Sequence, residues 1–156
     1  MSLAVCVLMT WIVVIILMLI PKKLSEIEMV FVYFANTVFE LSIFTILHLN
    51  LKWIQIDQGF EKSIADLVLR IFMIPLIFVI TANILCYRWK LLKFVVVILI
   101  NLSFLFLNIL ITKLGILKAT HWSPLYTVIL FMSYTIFSGL MAVCISNIKG
   151  KEVTRT

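Results

Sequence analysis

The chain has 156 residues, of which 64% are hydrophobic and only 13% are charged, and its formal net charge is +6. Soluble domains have about 45–50% apolar and about 25% charged residues, and a chain of this length in water could not bury so much apolar surface. The composition therefore excludes an ordinary soluble domain. The basic residues flank the apolar segments, where they contact lipid headgroups, so nucleic acid is not expected as a partner.

The apolar residues form five segments of membrane-spanning length. A segment of ~20 residues at ~1.5 Å per residue crosses a hydrocarbon core of ~30 Å, and its backbone must be helical to satisfy its own hydrogen bonds. We therefore predict an all-α fold, a polytopic transmembrane helix bundle forming a single integral membrane domain over residues 1–156. The predicted spans are approximately 3–20, 29–49, 67–86, 94–111 and 124–145. The connection between the second and third spans is either a short amphipathic segment lying on the outer interface or an ordinary connector.

The distribution of basic residues predicts the orientation. Pro21, Lys22 and Lys23 follow the first span without a cleavage signal, so this span is expected to be retained. One side carries eight basic residues, Lys22, Lys23, Arg88, Lys90, Lys93, Lys149, Lys151 and Arg155. The other side carries four, Lys52, Lys62, Lys113 and Lys118, or five with Arg70. The positive-inside rule then predicts a multi-pass protein of the plasma membrane with its N-terminus outside and its C-terminus in the cytoplasm.

Glu40 and Arg70 are the two charges that lie clearly inside a span. Glu40 is near mid-bilayer and shares a helix face with Asn36. Arg70, about one turn inside the predicted third span, has three alternatives: it reaches the outer headgroups, pairs with Asp66, or extends to Glu40. A candidate intramembrane polar site follows, because polar groups in hydrocarbon need partners. It consists of Glu40, Asn36, Arg70, Asn101 and Asn108.

Further polar and small residues lie along the last two spans. Asn101 and Asn108 share one helix face, and a second stripe is formed by Thr127, Tyr134 and Ser138. Ser138 and Ala142 form a small-xxx-small pair beside Gly139, which favours close helix approach. We favour interhelical hydrogen bonding over a polar cavity as the role of these residues. In the third span, Pro75 predicts a kink because it cannot donate to the carbonyl of Ile71.

The sequence contains no motif of an enzyme or of a metal or cofactor site. Cys6, Cys86 and Cys144 are expected to pack as small apolar side chains. His48 and His121 are candidate outer-side titratable residues, suited to a pH sensor or to part of a metal site, but no metal-binding spacing accompanies them. Hence we expect no catalytic residues, no cofactor and no enzymatic activity.

Residues from about Ile46 to Tyr134 carry two short patterns. Leu47, Leu51, Lys52 and Trp53 form the first, and Gly115, Trp122, Tyr126 and Thr127 form the second. In these patterns the chain resembles a family of small uncharacterised multi-pass membrane proteins of spore-forming bacilli and clostridia. It differs where His48 replaces a frequent acid and Asn108 replaces a frequent Glu. The resemblance implies a bacterial cell membrane and a bundle of about five helices, and it implies no activity.

Two functions from different classes follow from these features. The first is a non-enzymatic accessory subunit, sensor or scaffold, because small size and polar stripes suit helix pairing. The alternative is a small transporter or channel with a polar path around Glu40. The expected partners are the lipid bilayer, and other membrane proteins or further copies of this chain.

Overall fold

The computed structural model describes residues 2–56, 59–87, 90–113, 115, 117–119 and 123–153. Its helices are α1 (Ser2–Leu19), α2 (Glu26–Thr45), α3 (Phe60–Val68), α4 (Ile74–Leu85), α5 (Lys90–Lys113) and α6 (Pro124–Val153). A π-helical turn, Ile46–Asn50, continues α2, and a second one, Leu69–Met73, joins α3 to α4. Two three-residue strands, β1 (Ile54–Ile56) and β2 (Leu117–Ala119), pair antiparallel.

The prediction of an all-α membrane bundle is confirmed. Within the described ranges, four helices are long and apolar enough to cross a bilayer: Glu26–Asn50, Phe60–Leu85, Val95–Lys113 and Leu125–Ile145. A fifth apolar helix, Leu3–Leu19, is shorter. The observed number is therefore close to the predicted five, with α1 as the marginal member.

The third helix extends well beyond the predicted apolar span. It runs without interruption over Phe60–Leu85, 26 residues, whereas the apolar run starts near Leu67. Charged side chains such as Glu61 obscure the first two turns in the sequence. Those turns are helical because Ala65 and Leu69 pack against α1, in a buried cluster with Cys6 and Val13.

The two strands join the α2–α3 and α5–α6 connections at one end of the bundle, which we call the strand end. Ile54 pairs with Ala119, and Ile56 pairs with Leu117. The pairing brings these two connections to the same end of the bundle, an arrangement compatible with five alternating spans. The α2–α3 connection contains strand β1 and is shortened by the early start of α3.

At the opposite end, Asn83 of α4 holds the connection between α1 and α2. Its Oδ1 accepts hydrogen bonds from the backbone N–H groups of Lys23 (2.7 Å) and Leu24 (3.1 Å). Its Nδ2 donates to the Pro21 carbonyl at 3.0 Å, which also accepts from the Tyr87 hydroxyl at 2.5 Å. One buried amide therefore satisfies three backbone groups of a chain reversal, and sequence analysis did not identify it.

Helices α2, α4 and α6 form the centre of the bundle. The small residues predicted to permit close approach do so: Ser138 and Ala142 are fully buried. A Cβ at Gly139 would lie 3.1 Å from Leu85 Cδ1, so this position has little room for a larger side chain. The central core continues as a cluster of aromatic rings from α4, α5 and α6: Phe78, Phe104, Phe131 and Tyr134.

The carbonyl that Pro75 leaves without an amide donor has a side-chain partner instead. Pro75 lies at the start of α4, directly after the π-helical turn, and the Tyr33 hydroxyl of α2 donates to the Ile71 carbonyl at 2.9 Å. π-Helical turns occur preferentially at functional sites in proteins. The irregularity that Pro75 predicted is therefore a π-helical turn that α2 stabilises through Tyr33.

We expect Tyr33→Phe to lower the free energy of unfolding by about 1–2 kcal/mol, because it removes the side-chain donor to the part-buried Ile71 carbonyl. The measurement is reversible unfolding in mixed micelles. In a Pro75→Ala background the same substitution should cost clearly less, since the introduced alanine supplies an amide N–H to that carbonyl. Equal costs in the two backgrounds would contradict this assignment.

Candidate functional site

The two intramembrane charges predicted from the sequence meet in one ion cluster. Arg70 Nη1 donates to Glu40 Oε1 at 2.7 Å. Arg70 Nε donates to Asp66 Oδ2 at 2.9 Å and to Oδ1 at 3.1 Å. The side chains of Glu40, Asp66 and Arg70 are 3%, 5% and 11% exposed. Arg70 therefore pairs with Asp66 and also extends to Glu40. Its guanidinium points to these two acids and not outward to the headgroups.

The early start of α3 explains why Arg70 does not reach the surface. Arg70 is ten positions after Phe60, the first residue of α3, so it lies about 15 Å along the helix at ~1.5 Å per residue. Glu40 lies ten residues before Asn50, the end of the second helix, and so at a similar depth. Arg70 is thus far from the end of its helix and largely buried in the bundle, where a paired charge is strongly favoured over an unpaired one.

An aromatic stack links the ion cluster to the strand end. The guanidinium carbon of Arg70 lies 3.3 Å from the centre of the Phe44 ring. The His48 ring also stacks on Phe44, nearly parallel to it, with the two ring centres 5.2 Å apart. His48 Nδ1 is 2.8 Å from the Ile54 carbonyl oxygen, so this nitrogen carries the donated proton. His48 therefore anchors β1, while His121 lies outside the described residues.

Asn36 does not join the ion cluster. Its Nδ2 donates to the Val32 carbonyl at 2.8 Å and to Ser138 Oγ at 3.1 Å, and Ser138 donates to the Phe78 carbonyl at 2.8 Å. Asn36 Oδ1 is buried without a donor in the described part of the chain. One turn away on α6, Tyr134 interacts with Glu40 through its hydroxyl. Asn36 and Ser138 thus form a second polar layer beneath Glu40.

A cavity of about 80 Å³ lies beside the ion cluster, between α2, α3, α5 and α6. Glu40, Asp66 and Arg70 line one wall. Asn108 and Thr127 line another, with Asn108 Nδ2 donating to Thr127 Oγ1 at 2.9 Å. At ~30 Å³ per water molecule, the volume admits two or three waters or a small solute. The interhelical hydrogen bond predicted for these stripes exists, and it also borders this cavity, whose lining is mostly apolar with a few polar groups.

The two boundaries of the cavity differ in chemical character. Ile54 of β1 lines it at the strand end. Below it, the rings of Phe104 and Phe131 stack with centres 4.0 Å apart, and Phe78 stacks on Phe104 at 5.2 Å. The cavity is therefore bounded by Ile54 at the strand end, and a layer of aromatic rings separates its polar groups from the other half of the bundle.

Three of the five predicted site residues meet at the cavity: Glu40, Arg70 and Asn108. Asn36 lies in the layer below, and the side chain of Asn101 is outside the described part of the structure. Asp66 and Thr127 were not predicted as site residues. Asp66 has a sequence signal in its spacing of four residues from Arg70, but the pairing of Thr127 with Asn108 depends on the tertiary fold.

The donor set argues for oxygen chemistry. Among the described residues there is no group of three or more His, Cys, Asp or Glu side chains that could hold a metal ion. The cavity offers carboxylate, amide and hydroxyl groups, which bind water, small polar solutes and hard cations. Comparisons with protein-family models, with curated proteins and with solved structures found no significant match to this chain.

Proposed function

We propose that the protein is a non-enzymatic component of a bacterial plasma membrane, a sensor or accessory subunit that binds a small polar solute in its cavity. One observation carries this proposal. Charged and polar side chains from four helices converge on one small space deep in the bundle. A bundle held only by paired helices does not require such a space, and intramembrane charges mark functional sites by default.

The orientation proposed for this function places the strand end outside the cell. The excess of Lys and Arg on the opposite connections and at the C-terminus supports an external strand end. In this orientation the solute enters from the extracellular side, past Ile54 of β1. An external solute is the natural ligand of a sensor.

The rival proposal is a small transporter, and the convergence of polar groups favours it as well. Transport requires a second route from the cavity to the opposite side. The stacked rings of Phe78, Phe104 and Phe131 stand in that route and would have to separate. A sensor needs no such opening, so the aromatic layer favours the sensor or accessory subunit.

A cavity-blocking variant tests the proposed function. The full chain in nanodiscs is heated with a panel of small salts, amides and polyols, and we expect saturable stabilisation by at least one of them. Ile111→Phe, which fills the cavity, should weaken that binding at least tenfold. Ile109→Phe is the matched control, since Ile109 is on the same helix with an exposed side chain.

The two outcomes that matter are distinct. If no solute stabilises the protein, or if Ile111→Phe responds as the wild type does, the proposed function is wrong. Flux of the binding solute into proteoliposomes would replace the sensor by the transporter.

A further inference from the structure

The ion cluster contains two acids and one base. When both acids are ionised, Glu40 and Asp66 contribute −2 and Arg70 contributes +1, so the formal charge of the cluster is −1. All three side chains are about nine-tenths buried or more. An uncompensated charge in hydrocarbon costs several kcal/mol, so a compensating positive charge is strongly favoured.

The guanidinium is already engaged by the protein. Its Nε and Nη1 donate to the two acids, and Phe44 covers one face. An anionic ligand would therefore meet two carboxylates beside a guanidinium whose Nε and Nη1 are already bonded to them. The apolar side chains around the cavity, such as Leu69 and Met73, lower the local dielectric constant and strengthen attraction for a cation.

The opposite wall supplies neutral oxygen atoms. Because Asn108 Nδ2 donates to Thr127, the amide is oriented, and its Oδ1 remains an acceptor. Carboxylate, amide and hydroxyl oxygens are the ligands that hard cations prefer. A single excess negative charge matches a single positive charge, so the site suits a monovalent cation better than a divalent one.

The second polar layer, next to the cavity, contains one buried acceptor without a donor among the described residues. Asn36 is 1% exposed and shares the Glu40 face of α2, and its Oδ1 has no donor in the described structure. A buried acceptor of this kind usually bonds to an ordered water. Asn36 does not line the cavity, so its unpaired acceptor indicates an ordered water in the second polar layer and does not specify the ligand of the cavity.

We infer that the cavity binds one small monovalent cation between Glu40 on one side and Asn108 with Thr127 on the other. This inference rests on the proposed function and specifies its ligand class. Sodium, potassium and ammonium share the required chemistry. Choline is also monovalent but is too large for about 80 Å³.

The test is thermal unfolding of the full chain in nanodiscs, followed by Trp fluorescence, in chloride salts of these four cations at equal ionic strength. We expect saturable stabilisation by at least one of the three small cations and none by choline. Glu40→Gln, which removes the excess charge, should abolish the response. Asn108→Ala should weaken apparent affinity about tenfold, because it removes one oxygen ligand. Ser42→Ala, at an exposed position of α2, is the control and should respond as the wild type does.

Each remaining result overturns the cation inference. A response to a neutral solute that Ile111→Phe abolishes, with none to cations, would refute the cation and leave the proposed function intact. Stabilisation that follows pH alone would show that a proton, not a cation, neutralises the ion cluster. No response to any salt or solute would refute both proposals.

Discussion

Replacing Arg70 by Met should destabilise the protein by about 3–5 kcal/mol, the largest single-residue effect that we expect. The substitution keeps the side-chain length but leaves Glu40 and Asp66 buried side by side without a positive partner. Two unpaired carboxylates deep in a bundle must either take up protons or be hydrated by water that enters the bundle, and both cost free energy. Unfolding in mixed micelles, or the yield of folded protein after extraction, measures this loss.

A neutralised cluster distinguishes lost charge pairing from lost packing. The triple variant Arg70→Met, Glu40→Gln, Asp66→Asn removes all three charges while keeping the side-chain volumes similar. Because buried ion clusters can be replaced by neutral groups at little cost, we expect its stability to return to within about 2 kcal/mol of the wild type. If Arg70→Met alone left the free energy of unfolding unchanged, the ion cluster would not contribute to the stability of the fold.

Replacing Asn83 by Ala should cost about 2–4 kcal/mol and loosen α1. The change removes the hydrogen bonds to Pro21, Lys23 and Leu24, and it leaves the buried Leu24 N–H and the part-buried Lys23 N–H without their acceptor. The connection that these groups belong to holds α1 in register with the rest of the bundle. Loosening should raise the maleimide reactivity of Cys6, which is buried on α1.

The thiol measurement requires Cys86→Ala and Cys144→Ala in the background, so that Cys6 is the one remaining cysteine. Tyr87→Phe is the matched control, because it removes one of two donors to the Pro21 carbonyl and leaves the Asn83 bonds in place. It should change stability by less than about 1 kcal/mol. Equal thiol reactivity in the Asn83 variant and the control would argue that α1 is held by its packing alone.

The helices were predictable because their apolar runs have the length that a bilayer demands. The sequence did not predict where the third helix begins, since Glu61 and Asp66 resemble a polar connection until Ala65 and Leu69 are seen against α1. Because the helix begins at Phe60, Arg70 lies well inside it, whereas the apolar run alone placed Arg70 about one turn from its end. The β1–β2 pairing was also missed, because three-residue strands distant in sequence carry almost no local signal.

The site was predictable in part. Glu40 and Arg70 are conspicuous because charges inside apolar spans are rare. The separation of Asn36 from Glu40 was not predictable, although both share a helix face, because the position of Ser138 on a distant helix decides it. Asn83 is a lone amide near the end of an apolar run, and its sequence context gives no indication that it binds a chain reversal about sixty residues away.

The contact between Glu40 and Arg70 also constrains how the chain enters the membrane. Arg70 follows Glu40 by 30 residues, so at about 5–20 residues per second the ribosome delivers α2 about 2–6 s before its partner exists. During that interval the acid would face lipid alone. We therefore expect the insertion machinery to retain α2 until the third helix arrives, and to release the two helices as a pair with the ion cluster already formed.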